Sequence, residues 1–375
     1  MNKTKTVSLF VPSLDGGGAE KVAINLAQAL ANIGHKVYLV IAQAEGAYLQ
    51  QNFNDIELVD LQAKSPIFLY KTLALKQHLK EKQPDYLIAI LDVLGSAIIA
   101  RHLAKVSTKV VMVVQTNLSQ QFQDRHGAAV TNFKWFCINR LYPHADAIAT
   151  ASKGVAKDLS SNTGLSHQDL KVLYNPILTH DFYEKVKEPI QHPWFATGEP
   201  PVILGVGRLV KQKDFATLVR AFAQVRQKQL ARLVILGDVD KREPQIKPYL
   251  QSLIQEFGLE ADVDLPGFVS NPYTYMAKAR VFVLSSIYEG FGNVVAEALA
   301  AGTSVVSTDC ESGPAEILDY GRYGRLAPVG NPEALAEKIC ATLAETPNSE
   351  HLQERAAMFS VNRVASQYVD FLSRL

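Results

Sequence analysis

The chain has 375 residues and near-equal charge, 38 Lys and Arg against 37 Asp and Glu for a formal net charge of +1, which excludes nucleic acid as the main partner because phosphate-backbone binders carry a large basic excess. With 47% hydrophobic residues, 20% charged residues and no low-complexity segment, it is a folded globular protein. Its length exceeds one ordinary core and predicts two domains.

In chain order, short β-branched runs alternate with longer helical patterns. The first half places strands at "TVSLFVPS", "KVYLVIA", "IELVDL", "YLIAIL", "KVVMVV" and "AIATA", and the second restarts at "PVILGVG", followed by "RLVILGD", "DVDLPGF", "VFVLSS", "TSVVSTD" and "GRLAPV". This is the signature of βαβ units and parallel sheets, so the class is α/β. Between the halves, prolines at 176, 189, 193, 200 and 201 break regular structure and mark a linker. Two doubly wound sheets facing each other would place their strand C-terminal ends at an interdomain cleft, so functional residues are expected in the loops after the strands.

The opening "MNKTKTVSLFVPSLDGGG" has too short an apolar run for a signal peptide, and "YLIAILDVLGSAIIA" is too short for a membrane span and is interrupted by Asp92. Cys137, Cys310 and Cys340 form no pair with metal-ligand or redox spacing and read as buried small hydrophobes in a reducing compartment. Residues 1–185 carry 19 Lys and Arg against 15 Asp and Glu, and 186–375 carry 19 against 22, so the first half is the one to meet an anionic surface.

Four stretches carry candidate chemistry. After the first strand, "LDGGGAEKVAINLAQAL" opens a helix on glycines, including Gly17 and Gly18. A phosphate or a sugar hydroxyl fits the N–H groups there, and a plain βα turn is the alternative. In "PPVILGVGRLVKQKD", Arg208, Lys211 and Lys213 follow Gly207 at a strand's carboxyl end, where cations suit a diphosphate. In "SSIYEGFGNVVAEALAAG", Glu289 precedes a helix that Asn293 would cap, and Glu297 falls on its first turn or just beyond, so the two can border one pocket as acid and base, with a capping-type role for Glu297 as the alternative. The Asp238/Asp240 and Asp262/Asp264 pairs supply no third oxygen ligand, so no metal is expected.

The ordered set of Gly-Gly-Gly-x-Glu, "GRLVKQKD", "GD", "YNPI", "EGFGNVVAE" and "DCESGPAEI" resembles the retaining glycosyltransferases of family 4 over nearly the whole chain. The resemblance implies the GT-B fold, two facing Rossmann-like domains with parallel sheets and an interdomain cleft. Residues 1–177, joined by a C-terminal helix at about 357–375, would bind the acceptor, and 178–356 the nucleotide-sugar. It further implies that Arg208 and Lys213 hold the donor diphosphate without a metal, that Glu289 contacts the transferred sugar, and that Glu297 binds the ribose. Phe291, Gly292 and Asn293 would complete the cradle through backbone N–H groups, Gly17 and Gly18 would close from the other domain, and the segment around Phe268 would meet the base. Where many relatives place a His after the fifth strand, this chain reads "QTNLSQ", so Gln115, Thr116 and Asn117 stand as acceptor-side candidates or strand-end caps, and His126 as a further candidate or a solvated loop residue.

The implied reaction moves a hexose or N-acetylhexosamine from a UDP-sugar onto a lipid-linked or cell-surface glycan precursor. A GDP-mannose donor is the alternative, and a nucleotide-sugar epimerase is a more distant one. No cofactor beyond the nucleotide-sugar is expected, and the expected location is cytoplasmic. Residues 68–83, with Tyr70, Leu73, Leu75 and Leu79 among lysines, read either as a surface helix packed on the sheet or as a basic amphipathic face resting on the inner leaflet of the plasma membrane. A non-catalytic two-domain binding protein would need no Arg208 and Lys213 beside a Glu pair.

Overall fold

The computed structural model describes residues 4–14, 17–50, 53, 55–63 and 67–375. Asp15 and Gly16 of the glycine loop lie outside them. The chain divides into two compact units, residues 1–177 with 359–375, and 178–358.

In the first unit the strands are β1 (Thr6–Val11), β2 (Lys36–Ile41), β3 (Ile56–Asp60), β4 (Tyr86–Ile90), β5 (Lys109–Val114), β6 (Ala147–Thr150) and β7 (Leu170–Val172). They form a seven-stranded sheet of order β3-β2-β1-β4-β5-β6-β7, with every pairing parallel. Its helices include α1 (Gly18–Asn32), α2 (Ile67–Lys82), α3 (Ser96–Ala104), α4 (Leu118–Arg125), α5 (Ala128–Leu141) and α6 (Lys153–Asn162). Both faces of the sheet are covered. Phe10, Val40, Leu87 and Met112 bury on one side and Leu9, Leu39, Ile88 and Val113 on the other, which is why these strands read as continuous apolar runs.

The second unit opens with the one-turn helix α7 (Phe182–Lys185), the only α-helix among the described residues of the proline-broken linker. Its strands are β8 (Val202–Val206), β9 (Arg232–Leu236), β10 (Val263–Gly267), β11 (Val281–Leu284), β12 (Ser304–Thr308) and β13 (Arg325–Ala327), in the order β10-β9-β8-β11-β12-β13, again all parallel. Its remaining helices are α8 (Phe215–Lys228), α9 (Ile246–Glu256), α10 (Pro272–Lys278), α11 (Asn293–Ala300), α12 (Pro314–Ile317), α13 (Pro332–Leu343) and α14 (Ser349–Ala356). The last helix, α15 (Val361–Leu372), returns to the first unit, where Val364, Tyr368 and Leu372, spaced at i, i+4 and i+8, are buried in the core that α1 also lines. Each such burial is worth roughly 1.5–3 kcal/mol, so the chain's end is firmly held.

Chain direction across each sheet reverses at one place, between β1 and β4 and between β8 and β11. Loops leaving neighbouring strands diverge there, and such switch points are where doubly wound sheets bind ligands.

Two expectations about side chains need correction. Among the cysteines only Cys310 is fully buried, whereas Cys137 and Cys340 are half-buried, Cys340 against the core of the second unit. The 68–83 segment is split: Leu75 and Leu79 pack into the sheet core, while Leu69, Tyr70 and Leu73 are exposed.

A polar pair interrupts the apolar contact between α2 and β1. Ser8 Oγ lies 2.9 Å from His78 Nε2, both residues are buried, and the ring stands edge-on to Tyr38. Burial pushes the His78 imidazole down from its ordinary 6.5 to about 4, with Lys82 adding to the effect. The folded pKa is below the unfolded one, so the unfolded chain takes up this proton first as pH falls. The stability contributed is fully present above pH 6.5 and is lost between 6.5 and about 4, by ~3 kcal/mol. Urea unfolding of wild type and His78→Gln across pH 7 to 4 should show wild type losing stability relative to the variant over that window; parallel profiles would refute it.

Candidate active site

The second unit's switch point carries the sequence's cationic and acidic candidates together. The loop after β8 runs from Gly207 through a single 3-10 turn, Lys211–Lys213, to Asp214, whose carboxylate caps α8 by accepting from Thr217 N. The loop after β11 carries Glu289. The two loops are stitched by Ile287 N donating to Gln212 O at 2.8 Å, Gln212 Nε2 to Tyr288 O at 2.9 Å, and Ser285 Oγ to Lys213 O at 2.8 Å. Lys213 Nζ meets Glu289 Oε1 at 2.6 Å, and Ser286 Oγ donates to the same oxygen at 2.6 Å. Both members of the pair are mostly buried, so each charge depends on the other. Cys310 lies close by, and burial, reinforced by the Glu289 charge, pushes its thiol up to about 12.

Glu297 has a different partner. It is buried on the second turn of α11 and accepts from Tyr273 Oη at 3.2 Å. The two glutamates therefore hold different groups, and the structure does not join them as an acid and base sharing a proton. Asn293 does not cap α11. It is the helix's first residue, and Gly292, left-handed at φ 89°, ψ 53°, stands at the cap with no side-chain bond. A backbone cap leaves the first-turn N–H groups unclaimed by any side chain of the cap residue, and no acidic residue occupies that turn. Phe291 is buried. Phe268, just after β10, is 74% exposed.

Glycines set how closely these loops approach. Gly207 N donates to Leu236 O at the end of the β8–β9 ladder, and Gly237, at φ 146°, lies so close that a Cβ would fall 1.8 Å from Gly207 O. Gly313, at φ 98°, is pressed on the Phe291 backbone, its Cβ position 2.1 Å from Phe291 O. Arg208 Nη1 donates to Asp240 Oδ2 at 3.0 Å with its guanidinium half-exposed. Of the other acidic triplet residues, Asp262 pairs with Arg226 and Arg232, and Asp264 with His192. Among the described residues no group of three His, Cys, Asp or Glu could hold a metal ion.

In the first unit, Gly17 precedes α1 and Gly18 is its first residue. Glu20 turns its carboxylate back over Gly17, 2.4 Å from where a Cβ would stand, so the helix N-terminus already faces an anion. Asn117 is a cap: its buried side chain accepts from Gln120 N at the start of α4. Half-buried Thr116 and buried Gln115 line a cavity of about 20 Å³ with Asp92 and Tyr142, and the Gln115 Nε2 there is buried without a partner. Asp92 is held by Lys71 at 3.0 Å and by Ser96 Oγ at 2.6 Å. His126 lies 2.6 Å from Lys134 Nζ, and burial, then the charges of Lys134 and Arg125, lower its pKa. Sequence reasoning missed Ser286 and Tyr273 as partners, because a lone serine or tyrosine carries no spacing signal, and it weighed Asp240 only as a metal ligand, not as a partner of Arg208.

A family model described as Glycosyl transferases group 1 matches residues 200–345, and one described as Glycosyltransferase Family 4 matches 16–180. The chain is 31% identical over 358 residues, 90% of each protein, to the N-acetylgalactosamine-N,N'-diacetylbacillosaminyl-diphospho-undecaprenol 4-alpha-N-acetylgalactosaminyltransferase of Campylobacter jejuni. It is 27% identical to the lipopolysaccharide 1,6-galactosyltransferase of Salmonella typhimurium, over 84% of this chain and 82% of that protein. Among solved structures, HepE of Anabaena, crystallised with UDP and glucose, superposes with a TM-score of 0.83 at 23% identity over 99% of this chain and 100% of that one. A sucrose-phosphate synthase from Thermosynechococcus elongatus matches with a TM-score of 0.80 at 19% identity, over 99% and 98%. The likeness establishes the GT-B fold.

The glycine contacts make an unequal pair of predictions. Gly237→Ala drives a side chain into backbone at a left-handed φ and should cost at least about 2 kcal/mol in urea unfolding. Gly17→Ala meets only the flexible end of Glu20 and should cost well under half of that.

Proposed function

The chain belongs to family 4 of the glycosyltransferases, and on that premise we propose that it is a retaining enzyme that moves a hexose or N-acetylhexosamine from a UDP-sugar onto a lipid-linked or cell-surface glycan precursor. The observation that carries this reading is the Lys213–Glu289 pair at the β8/β11 switch point with Arg208 on the same loop. Arg208 and Lys213 would bind the donor's diphosphate, Arg208 as a fork and Lys213 with the donors not spent on Glu289. Glu289, fixed by Lys213 and Ser286, would accept from hydroxyls of the transferred sugar. Glu297, oriented by Tyr273, would accept from the ribose, and exposed Phe268 would flank the base.

Transfer would proceed by front-face displacement. The acceptor hydroxyl oxygen bonds to the anomeric carbon as the bond from that carbon to the β-phosphate oxygen breaks, and the electron pair leaves with the diphosphate. A phosphate oxygen takes the acceptor's proton. No protein nucleophile or metal is required, and catalysis rests on positioning and on the two cations that meet the leaving charge. The names of the Campylobacter and Salmonella relatives favour a glycan precursor carried on lipid.

Peripheral contact with the membrane belongs to the same reading. No helix among the described residues is long and apolar enough to cross a bilayer. The first unit does expose Leu69, Tyr70 and Leu73 on α2, near Lys76 and Lys80, and on α5 it exposes Phe133 by 59% and Phe136 by 65%. Apolar side chains displayed beside basic ones suit an anionic interface.

Arg208→Ala should lower kcat by about 10²–10³-fold while leaving the fold intact by circular dichroism; Lys213→Ala should lower kcat as much and also lose stability in urea, because it strands the buried Glu289 charge. Near-normal transfer by either would remove the proposed roles. A thermal-shift screen of UDP- and GDP-sugars identifies the donor, since a bound ligand stabilises in proportion to its affinity; stabilisation by GDP-mannose alone would replace the UDP assignment. In co-sedimentation with vesicles containing phosphatidylglycerol, wild type should pellet at low salt and Phe133→Ser/Phe136→Ser should stay in the supernatant. Equal behaviour of the two would defeat the membrane contact at α5.

A further inference from the structure

The loop after β9 carries the first Asp-x-Asp triplet, in which Asp238 is exposed and Asp240 is buried among arginines. Residues 238–243 are tied to the loop after β8 along their length. Leu209 N donates to Asp238 O at 2.9 Å, Leu209 and Val239 form an isolated parallel bridge, and Lys211 N donates to Glu243 Oε2 at 2.7 Å. At the centre is Asp240, its side chain only 7% exposed. Its Oδ2 accepts from Arg208 Nη1 at 3.0 Å and from Arg242 Nη2 at 2.6 Å, and its Oδ1 accepts from Arg242 Nε at 2.8 Å. Two guanidiniums thus share one carboxylate oxygen and are held side by side.

One cation neutralises a buried carboxylate, and a second leaves the cluster with a net positive charge. Both arginines are more than half exposed, at 52% and 58%, so the surplus charge faces outward from the strand's carboxyl edge. Exposed ion pairs contribute little to stability, so a second arginine here adds little to the fold. A diphosphate presents several oxygens and more than one charge, which suits two planar forks held in advance. Without Asp240, each long side chain would have to be ordered at the moment of binding.

We propose that Asp240 is a positioning residue that presents Arg208 and Arg242 together, and that Arg242 is a second guanidinium for the phosphates of a nucleoside diphosphate. The proposal rests on the reading of Arg208 as a diphosphate ligand. Asp240 touches no substrate and acts through the two arginines.

The test is titration calorimetry of the full chain with UDP and with uridine, which lacks phosphates; GDP and guanosine replace them should wild type bind UDP no better than uridine. Arg242→Ala and Asp240→Asn should each weaken the diphosphate about tenfold while leaving the nucleoside's affinity unchanged, and Asp240→Glu should recover part of the loss. Arg242 is exposed enough that its variant keeps the fold, whatever happens at Asp240. Diphosphate affinity unchanged in Arg242→Ala and Asp240→Asn but lost in Arg208→Ala would overturn the proposal and leave the donor site standing. Equal loss for diphosphate and nucleoside would make the cluster merely structural and overturn it as well. If Arg208→Ala bound the diphosphate like wild type, the donor-site reading would fall too.

Discussion

The candidate site of the second unit depends on one ion pair between the two loops that leave its sheet at the switch point. Between β8 and β11 the chain's winding reverses, so the loops leaving those strands turn apart and the strand ladder cannot hold them. Lys213 and Glu289 close that gap at 2.6 Å, with Ser286 on the same oxygen and backbone bonds from Gln212 and Ile287 beneath. A buried pair of this kind is weak evidence for stability, because removing two charges from water costs about as much as their attraction returns. A pair retained at a ligand-binding edge is better explained by what it presents: an oriented ammonium and an oriented carboxylate on adjoining loops. That is the arrangement a sugar and its phosphate leaving group need, one group accepting from hydroxyls and the other meeting negative charge.

The supports of that pair lie outside the motifs. Gly237 against Gly207, and Gly313 against the Phe291 backbone, bring loops to distances that no side chain would allow. Three of the four aspartates in the Asp-x-Asp pairs are partners of arginines or a histidine. Asp240 takes Arg208 and Arg242, and these charge-assisted bonds, Arg242's foremost, hold its carboxyl well below the usual carboxylate range. A carboxylate so committed keeps its charge for the two arginines as pH falls toward the ordinary carboxylate range.

Most of the fold was readable because parallel strands buried on both faces are continuous apolar runs, and most of the strands announce themselves that way, although β3, β10 and β13 are only partly buried. β7 was missed because Leu170–Val172 is three residues long with a solvated lysine in the middle. Asn293 was misread because a glycine in the left-handed region can start a helix where a side-chain cap was expected. Of the acceptor-side candidates, Asn117 is spent on a helix cap and His126 lies beside an ammonium. The apolar residues of 68–83 could not be divided by pattern, since Leu73 and Leu75 lie on opposite sides of a helix whose two faces are nearly equal in polarity. Partners distant in sequence, such as Tyr273 for Glu297 and His78 for Ser8, are set by tertiary packing and leave no local trace.

The two units each place a glycine before a helix at a switch point or beside it, yet the two helix starts are electrically different. α1 has Glu20 in its first turn, folded back over Gly17, whereas α11 has no acid in its first turn and begins on Gly292 with the cations of the β8 loop in the same unit. A helix N-terminus that already faces a carboxylate attracts a phosphate poorly and tolerates a neutral hydroxyl, while one with no acid in its first turn is better suited to the anion. The basic excess of residues 1–185 is not confined to the glycine loop, beside which Lys21 stands. Part of it lies on the outside of α2, beside exposed leucine and tyrosine, where it is available to a charged surface rather than to a nucleotide. On the proposed function, this placing of carboxylates suits the second unit to an anionic donor and the first to a neutral acceptor.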